Sequence, residues 1–252
     1  VRGVLVKTYA GHGYEVRDVC VTPDNARLAS VGGDRAVLQW DVATGAILRK
    51  WRGHDGPANC VADAASGALA VSGGDDSTVR LWDARSRSPD PVQTLRGAGD
   101  AVVAVAVDGP CVLSASVDGR VRAHDARAGR LVVDALPAPL VSLALTRDRA
   151  CLAVACTDGR VALLDRAGGA ALASYAGRPP SDVKTDVAVT ADDAVVLCGG
   201  AAGLVHAWGA VSEAALPPLD ALSPAAITSV AAHPTGVGVL AACADGSVAV
   251  FE

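Results

Sequence analysis

The stretch GGDRAVLQWD (residues 32–41) returns in modified form as GGDDSTVRLWD (residues 73–83). Each joins a glycine turn to a short apolar run that ends in Trp-Asp. Trp40 and Trp82 stand 42 residues apart, and the same slot then holds His124, Leu164, Trp208 and Phe251 at steps of 42, 40, 44 and 43. Six residues ahead of each slot come Asp34, Asp76, Asp118, Asp158, Ala202 and Asp245. A period of about 40–45 residues with this ending predicts an all-β chain, a β-propeller of four-stranded blades. Six slots predict six blades, in a single domain over residues 1–252.

The first two repeats read strand by strand. Strands are expected at 4–9 and 46–51, then 16–21 and 58–62, 27–31 and 68–72, and 36–40 and 78–82, with turn residues between them. His12 and His54 each precede their Trp by 28 residues, and Ser30 and Ser72 precede Asp34 and Asp76 by four. A buried indole N–H requires an acceptor, and a Ser–His–Asp chain supplies one with every group satisfied. His12, Ser30, Asp34 and Trp40 are thus expected to form one network, and His54, Ser72, Asp76 and Trp82 a second. Two copies at identical offsets argue for structure, because a catalytic triad needs one copy at one exposed site. The third repeat keeps Ser114 and Asp118 but has Ala98 in the His position, and later repeats keep mainly the turn Asp. Residues 4–9 are expected to pair with 246–251 and close the propeller, or, if the chain keeps seven-blade geometry, to leave a blade-wide gap.

Composition removes other functions. The net charge is −5 and aromatic residues make up 3% of the chain, so there is neither a basic footprint nor a base-stacking platform, and no direct nucleic-acid binding is expected. No apolar run reaches the ~18 residues of a membrane span. Seven dispersed cysteines without Cys-x-x-Cys point to reduced thiols in cytosol or nucleus. His124, His206 and His233 lie in different repeats without zinc-like spacing, and no phosphate loop is present. No catalytic residue, cofactor or metal is expected. The chain has no Met and begins with Val, so it is expected to be a fragment lacking its N-terminus.

The stretches YAGHGYEV (9–16), GGDRAVLQWDVATG (32–45), RKWRGH (49–54), DSTVRLWDARSRSPDPVQTL (76–95) and SVDGRVRAHDARAGRL (116–131) carry a resemblance. Together they resemble the mitogen-activated protein kinase organizer family of WD-repeat scaffolds, with RSRSPDPVQTL the most specific part. Residues 132–252 resemble it mainly in spacing. The resemblance implies a non-enzymatic scaffold of the extracellular-signal-regulated kinase cascade, of the spliceosome, or of both. It also implies protein partners from those assemblies, a monomeric propeller within larger complexes, location in cytoplasm and nucleus, and a seventh repeat ahead of Val1.

A partner surface is expected where the innermost strands begin and just before the turn Asp. Those positions hold Tyr14, Glu15 and Arg17, then Asp55, Asn59 and Asp75, and, in the fifth repeat, Asp182 and Lys184. Tyr and Arg are favoured interface anchors, although the same residues also read as solvated loop. Repeats three, four and six offer Ala101, Val103, Pro139, Val141, Ala226 and Thr228, an apolar arc. Arg85 and Arg127 complete a Trp-Asp-x-Arg-like pattern that resembles the box docking some WD-repeat proteins to the adaptor of cullin-4 ubiquitin ligases. That gives a rival function, substrate receptor, against the plainer reading of a surface Arg paired with a nearby Asp.

Overall fold

A computed structural model describes residues 4–64, 67–125, 130–181, 183–236 and 238–251. Among them every strand pairs antiparallel and no helix occurs, so no helix is long and apolar enough to cross a membrane. The chain divides into two compact units, Val1–Leu136 and Pro137–Glu252, with three blades each.

In the first unit, blade one joins Val16–Val21, Arg27–Gly32, Ala36–Asp41 and Ile47–Arg52. Blade two joins Ala58–Ala64, Leu69–Gly74, Val79–Asp83 and Gln93–Leu95. Blade three joins Val102–Asp108, Cys111–Ser116, Arg120–Asp125 and Arg130–Ala135. In the second unit, blade four joins Leu140–Leu145, Cys151–Cys156, Val161–Asp165 and Ala171–Tyr175. Blade five joins Val187–Val189, Val195–Gly199, Leu204–Gly209 and Ala215–Asp220. Blade six has three strands, Ile227–Ala232, Val239–Cys243 and Val248–Phe251. In blades one and two, the second and third strands are buried nearly end to end; blade two lies between blades one and three, while blade one has blade two on one face and Tyr9 and Val42 packed on the other.

The closing pair is not formed. Blade six stops at three strands, and residues 4–9 form no strand among the described residues. With no hydrogen-bonding neighbour, that segment is held through its side chains. Tyr9 packs edge-on against Trp40 with ring centroids 5.7 Å apart and donates its hydroxyl to the Val42 carbonyl at 2.9 Å. Lys7 donates to the Ala43 carbonyl.

Two devices join blades within each unit. The first is an aromatic peg: the fourth-strand Trp51 stacks on Trp82 of blade two at 6.1 Å, and Tyr175 lies 5.8 Å from Trp208 of blade five. The second is a polar tie between first strands. Asp18 accepts the Val61 N–H at 2.8 Å, and Ser142 accepts the Val187 N–H at 3.2 Å. Buried Gln39 adds a bond from its amide to the Gly67 carbonyl at 2.8 Å.

Trp51→Ala should cost on the order of 3–5 kcal/mol, the range for emptying a buried aromatic site, because it also uncovers Trp82. Leu48→Ala, three residues away on the same strand but partly exposed, should stay within about 1 kcal/mol. Urea unfolding of the two variants checks the contrast.

Candidate functional site

The direction of the protons in the blade-two network is set by its two ends: an indole N–H can only donate, and an ionised carboxylate can only accept. Trp82 Nε1 donates to Ser72 Oγ at 2.9 Å. Ser72 then directs its own proton to His54 Nε2 at 2.8 Å, which must be the bare nitrogen. Nδ1 therefore carries the ring proton and gives it to the Asp76 carboxylate at 3.0 Å. Asp76 also accepts from the backbone N–H of Asp55 and Thr78, from the Thr78 hydroxyl at 2.7 Å, and from Arg80 at 3.2 Å. Burial opposes ionisation of Asp76, but these donors outweigh it and hold its carboxyl at about 2. Burial pushes His54 down against the pull of Asp76, so the ring is neutral, as the proton order requires.

Blade one repeats the chain. Trp40 donates to Ser30 at 2.8 Å, Ser30 meets His12 Nε2 at 2.8 Å, and His12 Nδ1 reaches Asp34 at 2.9 Å. The Gly13 N–H adds a bond to Asp34, which pins the incoming loop to the turn.

Blade three solves the problem differently. Buried Arg122 takes the place of the missing His and forks onto Asp118 at 3.1 and 2.6 Å, while the Gly99 N–H donates to the same carboxylate. Burial raises the Asp118 pKa, but Arg122 and the backbone donors reverse this and bring it to about 2. Asp158 of blade four has a backbone bond from Arg160 at 3.0 Å and a looser ion pair to that side chain at 3.6 Å.

Blade five has Ala202 in the Asp slot and Cys198 in the Ser slot. There the incoming loop brings buried Arg178 to the Cys156 carbonyl at 2.6 Å and Thr185 at 3.1 Å. Its Nε has no hydrogen-bond partner among the described residues. Trp208 donates instead to the Ala176 carbonyl at 3.0 Å.

The expected partner residues of blades one and two are brought together by a backbone irregularity. In blade one Val16 pairs with Gly32 and Asp18 with Val31, so Arg17 is an extra residue opposite nothing. The same bulge isolates Asn59, Val103, Val141 and Thr228 in blades two, three, four and six. A bulge bends its strand and re-aims the extra side chain. Arg17 thereby reaches Asn59 at 2.5 Å, Asp75 at 3.3 Å and Glu15 at 3.1 Å. Asn59 in turn donates to Asp75 at 2.6 Å and to the Val102 carbonyl of blade three at 3.1 Å. Gly33 leaves room for this arrangement, since a Cβ there would lie 2.5 Å from the Glu15 carboxylate.

Tyr14 stands beside the cluster, 72% exposed and uninvolved in it, and Asp55 is exposed near Arg80 at 3.5 Å. Lys184 is partly buried in the second unit, and Asp182 lies outside the described residues. Arg85 is exposed and paired with Asp83 at 3.1 Å, while Arg127 lies outside the described residues. Sequence reasoning missed Arg122, Arg178 and the Asp18 tie. The first had a readable signal, an Arg four residues after the turn Asp in repeats two and three.

Repeats of this length, stacked as blades and locked by a Trp–Ser–His–Asp chain, define a WD-repeat protein. The WD domain, G-beta repeat family matches residues 3–41, 45–83 and 89–125. WD repeat domain-containing protein 83 of Homo sapiens is 41% identical, covering 98% of this chain and 78% of the human protein. The Rattus norvegicus protein of that name is 39% identical over 96% of this chain and 76% of its own length. The Dictyostelium discoideum homologue is 26% identical over 100% of this chain and 86% of its own. The chain belongs to the WD repeat domain-containing protein 83 family.

Removing Asp76 or Asp118 strands several buried donors, so Asp76→Ala and Asp118→Ala should each cost on the order of 3–5 kcal/mol. Asp158→Ala should cost about 0.5–1.5 kcal/mol, the worth of one turn bond. Chemical denaturation orders the three variants, and equal losses would remove the network as the source of the difference.

Acid should act in two stages. The unfolded chain protonates His54 below 6.5, whereas the folded chain resists, and His124 and His206 are pushed down the same way by burial. Stability is therefore full above that value and is lost as pH falls through it. A second loss comes below 3.8 as pH approaches the Asp76 value of about 2. Unfolding free energies measured between about pH 7 and about pH 5 should decline, and a flat line there contradicts neutral buried histidines.

Proposed function

We propose that this chain is a scaffold for protein complexes, that its partners come from the extracellular-signal-regulated kinase cascade and the pre-mRNA splicing machinery, and that it works in cytoplasm and nucleus. The observation that carries the docking site is the bulge-aimed cluster of Glu15, Arg17, Asn59 and Asp75 with exposed Tyr14 beside it. The cluster is preorganised: Arg17 is anchored on three groups before any partner arrives, so little side-chain entropy remains to be lost on binding. A rigid Arg beside an exposed Tyr is the composition of an interface anchor. The kinase and splicing assignment draws on the resemblance of residues 1–131 to the organizer family.

The rival reading, a substrate receptor for a cullin-4 ligase, draws on Arg85, which Asp83 holds in a fixed and exposed pose. Affinity purification separates the two. Tyr14→Ala should leave stability within about 0.5 kcal/mol and Arg17→Glu within about 1 kcal/mol. Both should weaken capture of kinase-cascade or spliceosomal proteins. Recovery of the cullin-4 adaptor, lost on Arg85→Ala plus Arg127→Ala, supports the rival instead. Unfolding of Tyr14→Ala would make that residue part of the core and remove it as an anchor.

A further inference from the structure

A cleft of roughly 740 Å³ opens on blade one next to the Arg17 cluster, with Tyr14 and Gly33 in its lining and Arg17 outside it. Gly13 and Tyr14 form one wall, Asp34 and Arg35 another, and Lys50 and Arg52 a third. The three cations come from two elements that the register places side by side. Arg35 is the tip of a tight turn, with φ of 62° and its N–H bonded to the Gly32 carbonyl at 3.2 Å. Arg52 pairs with Ala36, the next residue in the chain, and Lys50 pairs with Leu38. Between them buried Trp51 faces blade two, so alternation sends Lys50 and Arg52 to the opposite face of the strand together.

All three cations are exposed, and none of their side chains has a hydrogen-bond or ion-pair partner among the described residues. Elsewhere in the unit Arg17, Arg80, Arg85 and Arg122 each pair with a carboxylate, while exposed Arg87 and Arg96 are as unpaired as these three but do not line the cleft. The one carboxylate in the wall, Asp34, is turned to His12 and the N–H groups of Gly13 and Ala36 rather than to any of the three cations. The nearby Glu15 faces Arg17, and exposed Asp55 lies 3.5 Å from Arg80, which also pairs with Asp76, so neither carboxylate contacts the three cations. The cleft therefore presents three unpaired cations against one carboxylate, a net positive lining in which two planar guanidinium forks suited to a compact dianion stand beside an aromatic ring.

We infer that this cleft binds a phosphoserine-containing segment of a partner protein. Glu15, Asp55 and Asp75 flank it and disfavour a long polyanion, whereas a short peptide that concentrates its charge in one phosphate fits between them. The inference goes beyond the docking reading and uses different charges.

Fluorescence anisotropy tests it with a labelled degenerate peptide library carrying one fixed phosphoserine, against the same library with serine. The phosphorylated library should bind about tenfold or more tightly than the unphosphorylated one. The exposed double substitution Arg35→Glu plus Arg52→Glu should abolish that preference with no change in melting temperature. Arg17→Glu should leave it intact, so that failure here and failure of the Arg17 docking site are read separately. Equal binding of the two libraries overturns the inference. So does binding that survives the double substitution, or displacement of the peptide by single-stranded RNA at equal concentration.

Discussion

A buried indole N–H must find an acceptor, and in blades one and two that requirement determines nearly everything above it. Trp40 and Trp82 can only donate and the aspartate carboxylates can only accept, so Ser30 and Ser72 sit between an indole N–H and a histidine whose far nitrogen points at an aspartate. Each aspartate in turn collects backbone N–H groups from two separate loops, the one that brings the chain into the blade and the tight turn before the third strand. The incoming loop carries Tyr14 and Glu15 in blade one and Asp55 in blade two. The turn carries Gly33 and Asp75. A chain of hydrogen bonds that begins in the core thus sets the positions of the residues that face solvent.

The second constraint is geometric. First strands of adjacent blades lie side by side without a backbone ladder between them, so their edges need other partners. Asp18 and Ser142 serve as such partners by accepting the N–H of the next first strand. The bulge just before them turns Arg17 and Asn59 out of the pleat and toward each other. One irregularity therefore supplies both the join and the docking cluster, and this is why the same position yields Val103, Val141 and Thr228 where a blade has no polar cluster to build.

Legibility in the sequence depends on which interactions repeat. The blade count and the two His–Ser–Asp–Trp chains are readable because identical offsets occur twice. The polar positions Glu15, Arg17, Asn59 and Asp75 are readable as one set, but the bulge that unites them leaves no residue signature, since any side chain tolerates it. Residues 4–9 read as a strand that would close the ring. The structure instead docks this stretch through Tyr9 and Lys7, because a strand is stable only where a neighbour supplies its hydrogen bonds. Arg122 escapes a pattern keyed to histidine, although a cation four residues after the aspartate satisfies the same carboxylate equally well.

Blade five has lost the aspartate altogether. With Ala202 in its place, nothing anionic remains for the incoming loop to bind, yet that loop still delivers a buried cation, Arg178, to a carbonyl and a hydroxyl. Burial and Arg178 both disfavour charge on His206, so the ring stacked on Trp208 is pushed toward neutrality and the blade avoids a second buried cation. The tryptophan then turns to a backbone carbonyl of the same loop. The fold survives because the indole's demand is met by whichever acceptor the loop offers. The chemistry on the exposed side does not survive so easily. Only blades one and two retain the full chain from tryptophan to aspartate, and both the Arg17 cluster and the Arg35–Arg52 cleft are built on the loops and turns that this chain holds in place.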